Sequence, residues 1–217
     1  MEKINVYVTA DGSPTLFVPE LNECYHSVNG ALTESEHVFI AAGYRAFEAS
    51  DKDINILEIG FGTGLNALLT VVESAKHSGV VRYTGIELHP LPENIVRLLN
   101  FNDDADVFRQ LHQCGWGIYT GITDTFFLRK INTNFTNYRL DEKYDVIYLD
   151  AFSPEVQPEL WTEDIFRKLF SGMNPGGILT TYCAKGQVRR NMQQAGFTVE
   201  RLPGPPGKRE MLRARRI

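Results

Sequence analysis

Ile54-Asn55-Ile56-Leu57-Glu58-Ile59-Gly60-Phe61-Gly62-Thr63-Gly64-Leu65-Asn66 is the stretch whose reading decides the fold. Apolar residues at 54, 56, 57 and 59 read as a strand buried inside a parallel sheet. Gly60, Gly62 and Gly64 then bring bare backbone close to a ligand. A helix rich in Ala, Leu and Val follows to about Lys76, and its N-terminus offers unpaired N–H groups to that ligand. Gly62, Gly64 and Ala67 also satisfy a relaxed dinucleotide fingerprint, a weak signal when it stands alone. Glu58 decides between the readings. A pyrophosphate is repelled by a carboxylate at this strand end, whereas a ligand carrying an ammonium and a sulfonium is attracted. The loop therefore reads as a site for S-adenosylmethionine. Glu87 ends the next strand, Val81–Glu87, where a carboxylate takes the ribose hydroxyls of either cofactor.

The 217 residues suffice for one domain with a real core. No run approaches the ~20 apolar residues of a membrane helix. Met1-Glu2-Lys3-Ile4-Asn5-Val6 has no signal-peptide core, and the cytoplasm is the expected location. Cys24, Cys114 and Cys183 are odd in number and far apart, so neither a disulfide framework nor a metal site is expected. The net charge of −5 is unevenly spread. Thr181–Ile217 carries nine Lys or Arg against Glu200 and Glu210, a net +7, which leaves −12 on the first 180 residues. A basic end on an acidic body suits a polyanionic partner, and equally a solvated helix face.

Residues 4–9 and 15–18 are β-rich around Asp11-Gly12, a hairpin signal. Helical spacing runs from Glu34 to Ala49. Strands are expected near 54–59, 81–87, 126–131, 144–150, 176–182, 198–202 and 209–215. Helices are expected near 64–77, 92–100, 103–113, 159–171 and 185–195. The alternation predicts a doubly wound α/β sheet. Only Pro203-Gly-Pro-Pro-Gly207 separates the last two strands, so they form a hairpin and the final one runs antiparallel. A seven-stranded, Rossmann-like sheet of that kind is typical of class I S-adenosylmethionine-dependent methyltransferases. Residues 1–50 are expected to form a hairpin and helix that lie as a lid over a methyltransferase domain, residues 51–217.

A second motif carries the chemistry. Tyr144–Leu149 delivers Asp150 to a strand end, followed by Ala151-Phe152-Ser153-Pro154. An ammonium nitrogen has no lone pair and cannot attack a methyl sulfonium. A carboxylate can orient the amine and take its proton, the role expected of Asp150; the bland reading is a helix cap. Phe152 stacks on a flat substrate or packs in the core. Trp161 shares a helical apolar face with Ile165, Phe166 and Leu169 and reads as core. His37 and His89 read as satisfied or peripheral. Cys183 has no partner that would make it a nucleophile, and direct attack by an amine needs none.

Taken together these stretches resemble the methyltransferase domain of the MnmC-type tRNA wobble-uridine enzymes, in a stand-alone form. The markers are Tyr25-His-Ser-Val-Asn-Gly30 with Glu34, Gly60–Asn66, Glu87 with Pro90, Asp150-Ala-Phe-Ser-Pro154, Pro158-Glu-Leu-Trp-Thr162 and Lys208-Arg-Glu-Met-Leu212. The resemblance implies methyl transfer from S-adenosylmethionine to the exocyclic amine of 5-aminomethyl-(2-thio)uridine at wobble position 34, with the tRNA anticodon stem-loop as partner. It implies that Glu58 meets the methionine ammonium and that Gly60, Gly62, Gly64 and Asn66 line the cofactor. Glu87 holds the ribose and Asp150 contacts the reacting amine. Tyr25, Ser27 and Glu34 lie over the pocket. Where the family commonly has Gly-Asp after strand 126–131, this chain has Thr133-Asn134, and Asn134 Oδ1 is expected to accept from the adenine amino group. The bifunctional members add a flavin oxidase domain; with no such sequence here, methylation without flavin is expected. Lys185, Arg189, Arg190, Lys208 and Arg209 form a cluster expected to carry the tRNA. Two other readings compete: methylation or aminopropylation of a small free amine, and a non-catalytic RNA-binding module.

Overall fold

The computed structural model describes residues 4–47, 52–101 and 105–217. β1 (Asn5–Val8), β2 (Pro14–Val18) and β3 (Glu23–Cys24) form a small antiparallel sheet. The expected hairpin is present, and Asp11 closes its turn by accepting from the Ser13 amide at 3.0 Å. β3 was not foreseen; two residues are too few to leave a period.

α1 (Ala31–Ser35) starts earlier than the expected helix and runs on as a π-helix, Glu36–Tyr44. Its wide turns show in the Arg45 amide, which donates to the Ile40 carbonyl at 2.9 Å. The expected end of that helix at residues 48–49, and the domain boundary at 50/51, lie outside the described residues. A Cβ on Gly43 would stand 3.1 Å from both the Tyr148 ring and the Thr180 hydroxyl, so the missing side chain lets this helix seat directly on the main sheet.

That sheet contains β4 (Ile54–Ile59), β5 (Val81–Glu87), β6 (Thr120–Gly121), β7 (Phe126–Asn132), β8 (Tyr144–Leu149), β9 (Met173–Thr181), β10 (Thr198–Pro203) and β11 (Glu210–Arg215). The helices are α2 (Leu65–Ser74), α3 (Glu93–Val96), α4 (Ala105–Gln113), α5 (Glu163–Gly172) and α6 (Gly186–Gln194). The strand order is β10-β11-β9-β8-β4-β5-β7-β6. β4, β5, β7, β8 and β9 are parallel, and β11 is antiparallel to both β9 and β10, as the short Pro-Gly connection requires.

Three expectations need correction. The sheet has eight strands rather than seven, because Thr120–Gly121 adds an antiparallel edge to β7. The helix expected over 92–100 is one turn, Glu93–Val96, starting after Pro92. The helix expected over 159–171 is broken: a 3-10 turn, Pro158–Trp161, ends at Thr162, which is extended (φ −80°, ψ 159°) and caps α5 through its hydroxyl.

β4 is buried on both faces. Ile54 and Ile56 pack in one apolar layer, Leu57 and Ile59 in the other. The first layer also holds Leu16, Val38, Phe39 and Ala42 of the N-terminal segment beside Leu65, Leu68 and Val71 of α2. Full burial of such a side chain contributes roughly 1.5–3 kcal/mol, so β2 and the helix over 31–44 contribute to the core of the sheet. The chain reverses its winding between β4 and β8, and open α/β sheets bind ligands outside the strand ends at such a point.

Candidate active site

A cleft of about 530 Å³ opens at that reversal. Its floor comes from the turns after β4, β5, β7 and β8, and its roof from Glu23–Val28 of the N-terminal sheet and from Lys208.

The glycine turn is shaped by crowding. Gly60 has φ +92°, and a Cβ there would lie 2.4 Å from the Asp150 carbonyl oxygen. Gly62 (φ +51°) sits under the Tyr25 ring, 3.1 Å from where its Cβ would be. Gly64 caps α2 with no side chain on the first N–H groups. Glu87 closes the turn from the β5 side: its Oε2 accepts from the Gly62 amide at 2.9 Å and its Oε1 from the His89 amide at 2.7 Å. Backbone and carboxylate thus meet at one spot, as a nucleoside with free hydroxyls requires.

The other expected cofactor residues divide. Asn134 lines the cleft, but its Oδ1 accepts from the Thr136 amide (2.9 Å) and hydroxyl (2.8 Å). That oxygen is spent on the turn, which corrects its expected role as an adenine acceptor. Glu58 is 0% exposed and is not among the cleft-lining residues. It lies below the floor, and its Oε1 accepts from Asn66 Nδ2 at 2.8 Å. The expected contact between Glu58 and a methionine ammonium is corrected accordingly. The same Asn66 nitrogen donates to Asp150 Oδ2 at 2.8 Å. Burial, and next the neighbouring Asp150, push the Glu58 carboxyl well above its ordinary value.

Asp150 is on the cleft floor. Burial and the charge of Glu34 push its carboxyl up to about 7, against the pull of Asn66 and Lys208. Glu34, 6% exposed, bridges two distant pieces of chain: Oε2 accepts from the Ser27 amide at 2.8 Å and Oε1 pairs with Lys208 Nζ at 2.6 Å. The ammonium also stands 4.0 Å from the Tyr182 ring centroid. Tyr25 and Phe152 meet edge to face, 5.2 Å between centroids. Phe152 is fixed through its backbone, the amide on Gln157 Oε1 and the carbonyl on Trp161 Nε1, both at 2.9 Å. Trp161, 3% exposed, is core as expected.

The basic cluster does not gather as expected. Lys208 turns into the cleft to pair with Glu34, and Lys185 is paired with Glu155. Arg189 and Arg190 remain on α6, and Arg209 is exposed before β11. His37 bonds the Pro203 carbonyl (2.8 Å), away from the cleft, and His89 lies at the cleft edge.

Several contributors escaped the sequence reading. Ser153 Oγ donates to Glu23 Oε1 at 2.9 Å, tying the roof to the β8 turn, and Tyr182 Oη donates to the Ala151 carbonyl at 2.9 Å. His26, 8% exposed, is 3.2 Å from the Thr63 hydroxyl of the glycine turn and 3.4 Å from that of Thr15. Burial lowers its imidazole to about 4, so it is neutral at physiological pH. No local pattern announces such contacts, because each joins segments far apart in sequence.

Residues 126–217 match a family model described as S-adenosyl-L-methionine-dependent methyltransferase. The chain is 32% identical to the tRNA 5-methylaminomethyl-2-thiouridine biosynthesis bifunctional protein MnmC of Cupriavidus necator, over 97% of this chain and 34% of that protein. It thus spans about a third of the length of the curated relatives it matches. Among solved structures, MnmC2 of Aquifex aeolicus superposes with a TM-score of 0.77 at 24% identity, covering 99% of this chain and 71% of that one. Spermidine synthase of Thermotoga maritima superposes with a TM-score of 0.61 at 15% identity, covering 98% and 68%. By sequence the chain is similar to the methyltransferase third of the MnmC proteins over nearly its whole length, and its fold is that of the class I S-adenosylmethionine-dependent methyltransferases.

Proposed function

We propose that this chain transfers a methyl group from S-adenosylmethionine to the exocyclic amine of 5-aminomethyl-(2-thio)uridine at tRNA wobble position 34, giving 5-methylaminomethyl-(2-thio)uridine. The observation that carries this reading is Asp150, a cleft-floor carboxyl poised at about 7 beside the glycine turn. The similarity to MnmC supports the choice of substrate. The donor fits the residues present: Gly60, Gly62 and Gly64 leave a bare turn, and Glu87 stands beside it to take ribose hydroxyls. When bound, S-adenosylmethionine supplies an electrophilic methyl on a sulfonium.

The chain's own groups do the rest. Asp150 accepts an N–H of the substrate ammonium and takes its proton, which frees the nitrogen lone pair for attack. Its poise near neutrality suits a base that must be ionised before the amine binds and must hold the proton afterwards. Tyr25 and Phe152 form an aromatic corner for a flat base. The N-terminal sheet covers the cleft as a lid and keeps water from the reacting nitrogen. The anticodon stem-loop lies against Arg189, Arg190 and Arg209.

The acidic lining (Glu23, Glu34, Glu87, Asp150 and Glu159) also suits a small free polyamine, as substrate for methylation or aminopropylation. Lys208 stands inside the same cleft and opposes a dication. The test is nucleoside analysis of undermethylated tRNA after incubation with the protein and S-adenosylmethionine, beside an arm with putrescine. A 5-aminomethyluridine species one methyl heavier is expected; reaction of the polyamine alone overturns the reading.

A further inference from the structure

We infer that Asn66 and Glu58 are positioning residues for Asp150 rather than ligands of the methyl donor: one buried amide gives an N–H to each of two carboxyls and leaves Asp150 Oδ1 as the acceptor for the substrate nitrogen. This rests on the role of Asp150 proposed above.

Three separate elements bring the groups together. Glu58 is the penultimate residue of β4, Asn66 the second residue of α2, and Asp150 follows β8. The two Asn66 bonds are both 2.8 Å, to Glu58 Oε1 and Asp150 Oδ2. Asn66 is 2% exposed and Glu58 0%. Both hydrogens of the amide nitrogen are spent on the carboxyls, so none is left for a cofactor carboxylate. The amide orientation follows from its partners, since a flipped Asn66 would aim its oxygen at two acceptors. In this orientation Asn66 Oδ1 is buried with no hydrogen-bond partner among the described residues, while the Glu58 carboxyl faces the buried Tyr83 hydroxyl, which pulls against the rise of its titration. An orphaned amide oxygen of this kind costs stability, and here it stands behind the carboxyl proposed to meet the substrate nitrogen.

The arrangement also sets which carboxyl ionises. Two carboxyls bridged by one amide in a dry site do not readily share two negative charges. Glu58 is the more deeply buried, and burial raises its carboxyl well above the ordinary value, so Asp150 is the easier of the two to ionise. The charged and titratable groups acting on Asp150 are Glu34 from α1 and Lys208 from the turn before β11. Glu58 of β4, Tyr83 of β5 and Tyr182 after β9 sense its charge in turn. Of these, Lys208 and the Asn66 N–H favour the ionised form.

The experiment combines carboxyl ¹³C titration of Asp150, calorimetry with S-adenosylmethionine and the pH profile of methyl transfer. In Asn66→Ala, Asp150 titrates higher and the acid limb of kcat moves up with it. Activity at pH 7 falls about fivefold for the first unit of that shift and about tenfold for each further unit, while donor affinity stays within about threefold of wild type. Glu58→Ala removes one anchor of the amide and lowers kcat. Glu58→Gln restores it, because Gln Oε1 still accepts from Asn66. A tenfold loss of donor affinity in Glu58→Gln, or an unmoved Asp150 titration in Asn66→Ala, overturns the inference. The titration and the calorimetry need no tRNA, so they report on positioning even if the proposed substrate is wrong.

Discussion

Asp150 owes its character to what surrounds it. Burial and Glu34 hold its carboxyl at about 7 instead of 3.8, and Asn66 and Lys208 stop it rising further. The active form is ionised, so methyl transfer is expected to fall as pH drops through about 7, a limb visible in a rate–pH profile. Asp150→Asn should slow the chemical step by about 10²-fold or more while leaving donor affinity nearly intact, as single-turnover assays beside calorimetry would show. Glu87 is a different case, because both its oxygens already hold backbone amides. On the proposed reading, removing it loses a charge-assisted bond to the donor as well as the hold on Gly62. Glu87→Ala is expected to weaken S-adenosylmethionine binding by about ten- to a hundredfold, roughly 1.5–3 kcal/mol. Unchanged affinity by calorimetry would remove Glu87 from the site.

At the scale of elements, the β4–α2 turn is tied to its neighbours on every side. Gly60 pairs a left-handed φ with a 2.4 Å approach of its would-be Cβ to the Asp150 carbonyl, so Gly60→Ala forces the β4 and β8 ends apart. Denaturant unfolding should register a loss of at least about 2 kcal/mol. His26 joins the N-terminal sheet to the same turn through Thr63. Its imidazole is at about 4 when folded and 6.5 in its ordinary state, so the unfolded chain takes up a proton first as pH falls. The associated stability is complete above 6.5 and is lost between 6.5 and 4. Asp150 acts in the opposite direction over much of that window, so the comparison must be made against a variant. Between pH 7 and pH 5, wild type should lose about 2 kcal/mol more than His26→Gln. Equal losses would show that His26 does not hold the N-terminal sheet to the turn through its neutral form.

At the scale of the whole molecule, the two charge regions of the chain serve different ends. Lys208 leaves the basic end for the cleft, and Lys185 is paired with Glu155, so the surface left for a polyanion rests on α6 and on Arg209. Neutralising Arg189 and Arg190 together is expected to weaken tRNA binding and to lower the slope of log affinity against log salt by up to about two. Donor affinity should stay unchanged. An equal salt slope in the double variant would move the proposed tRNA surface to the N-terminal sheet.

Local order was legible because it has a local cause. Apolar period, three glycines and a following helix decided β4 and its turn, and the short Pro203–Gly207 link decided that β11 runs antiparallel to β10. The sequence by itself also determined that acids stand at the ends of β4, β5 and β8, since each strand delivers the residue that follows its apolar run. Which acid faces the ligand was decided only by tertiary structure. Glu58 was read as the donor's partner and lies under the floor, while Asp150, of the same side-chain type, faces the cleft. Asn134 kept its place and lost its free oxygen to Thr136. Lys208 meets Glu34 across 174 residues, a distance no sequence window spans. Propensity and patterning act over a turn or two, whereas the partner of a buried charge is chosen by packing, which alone sets how far water can reach it.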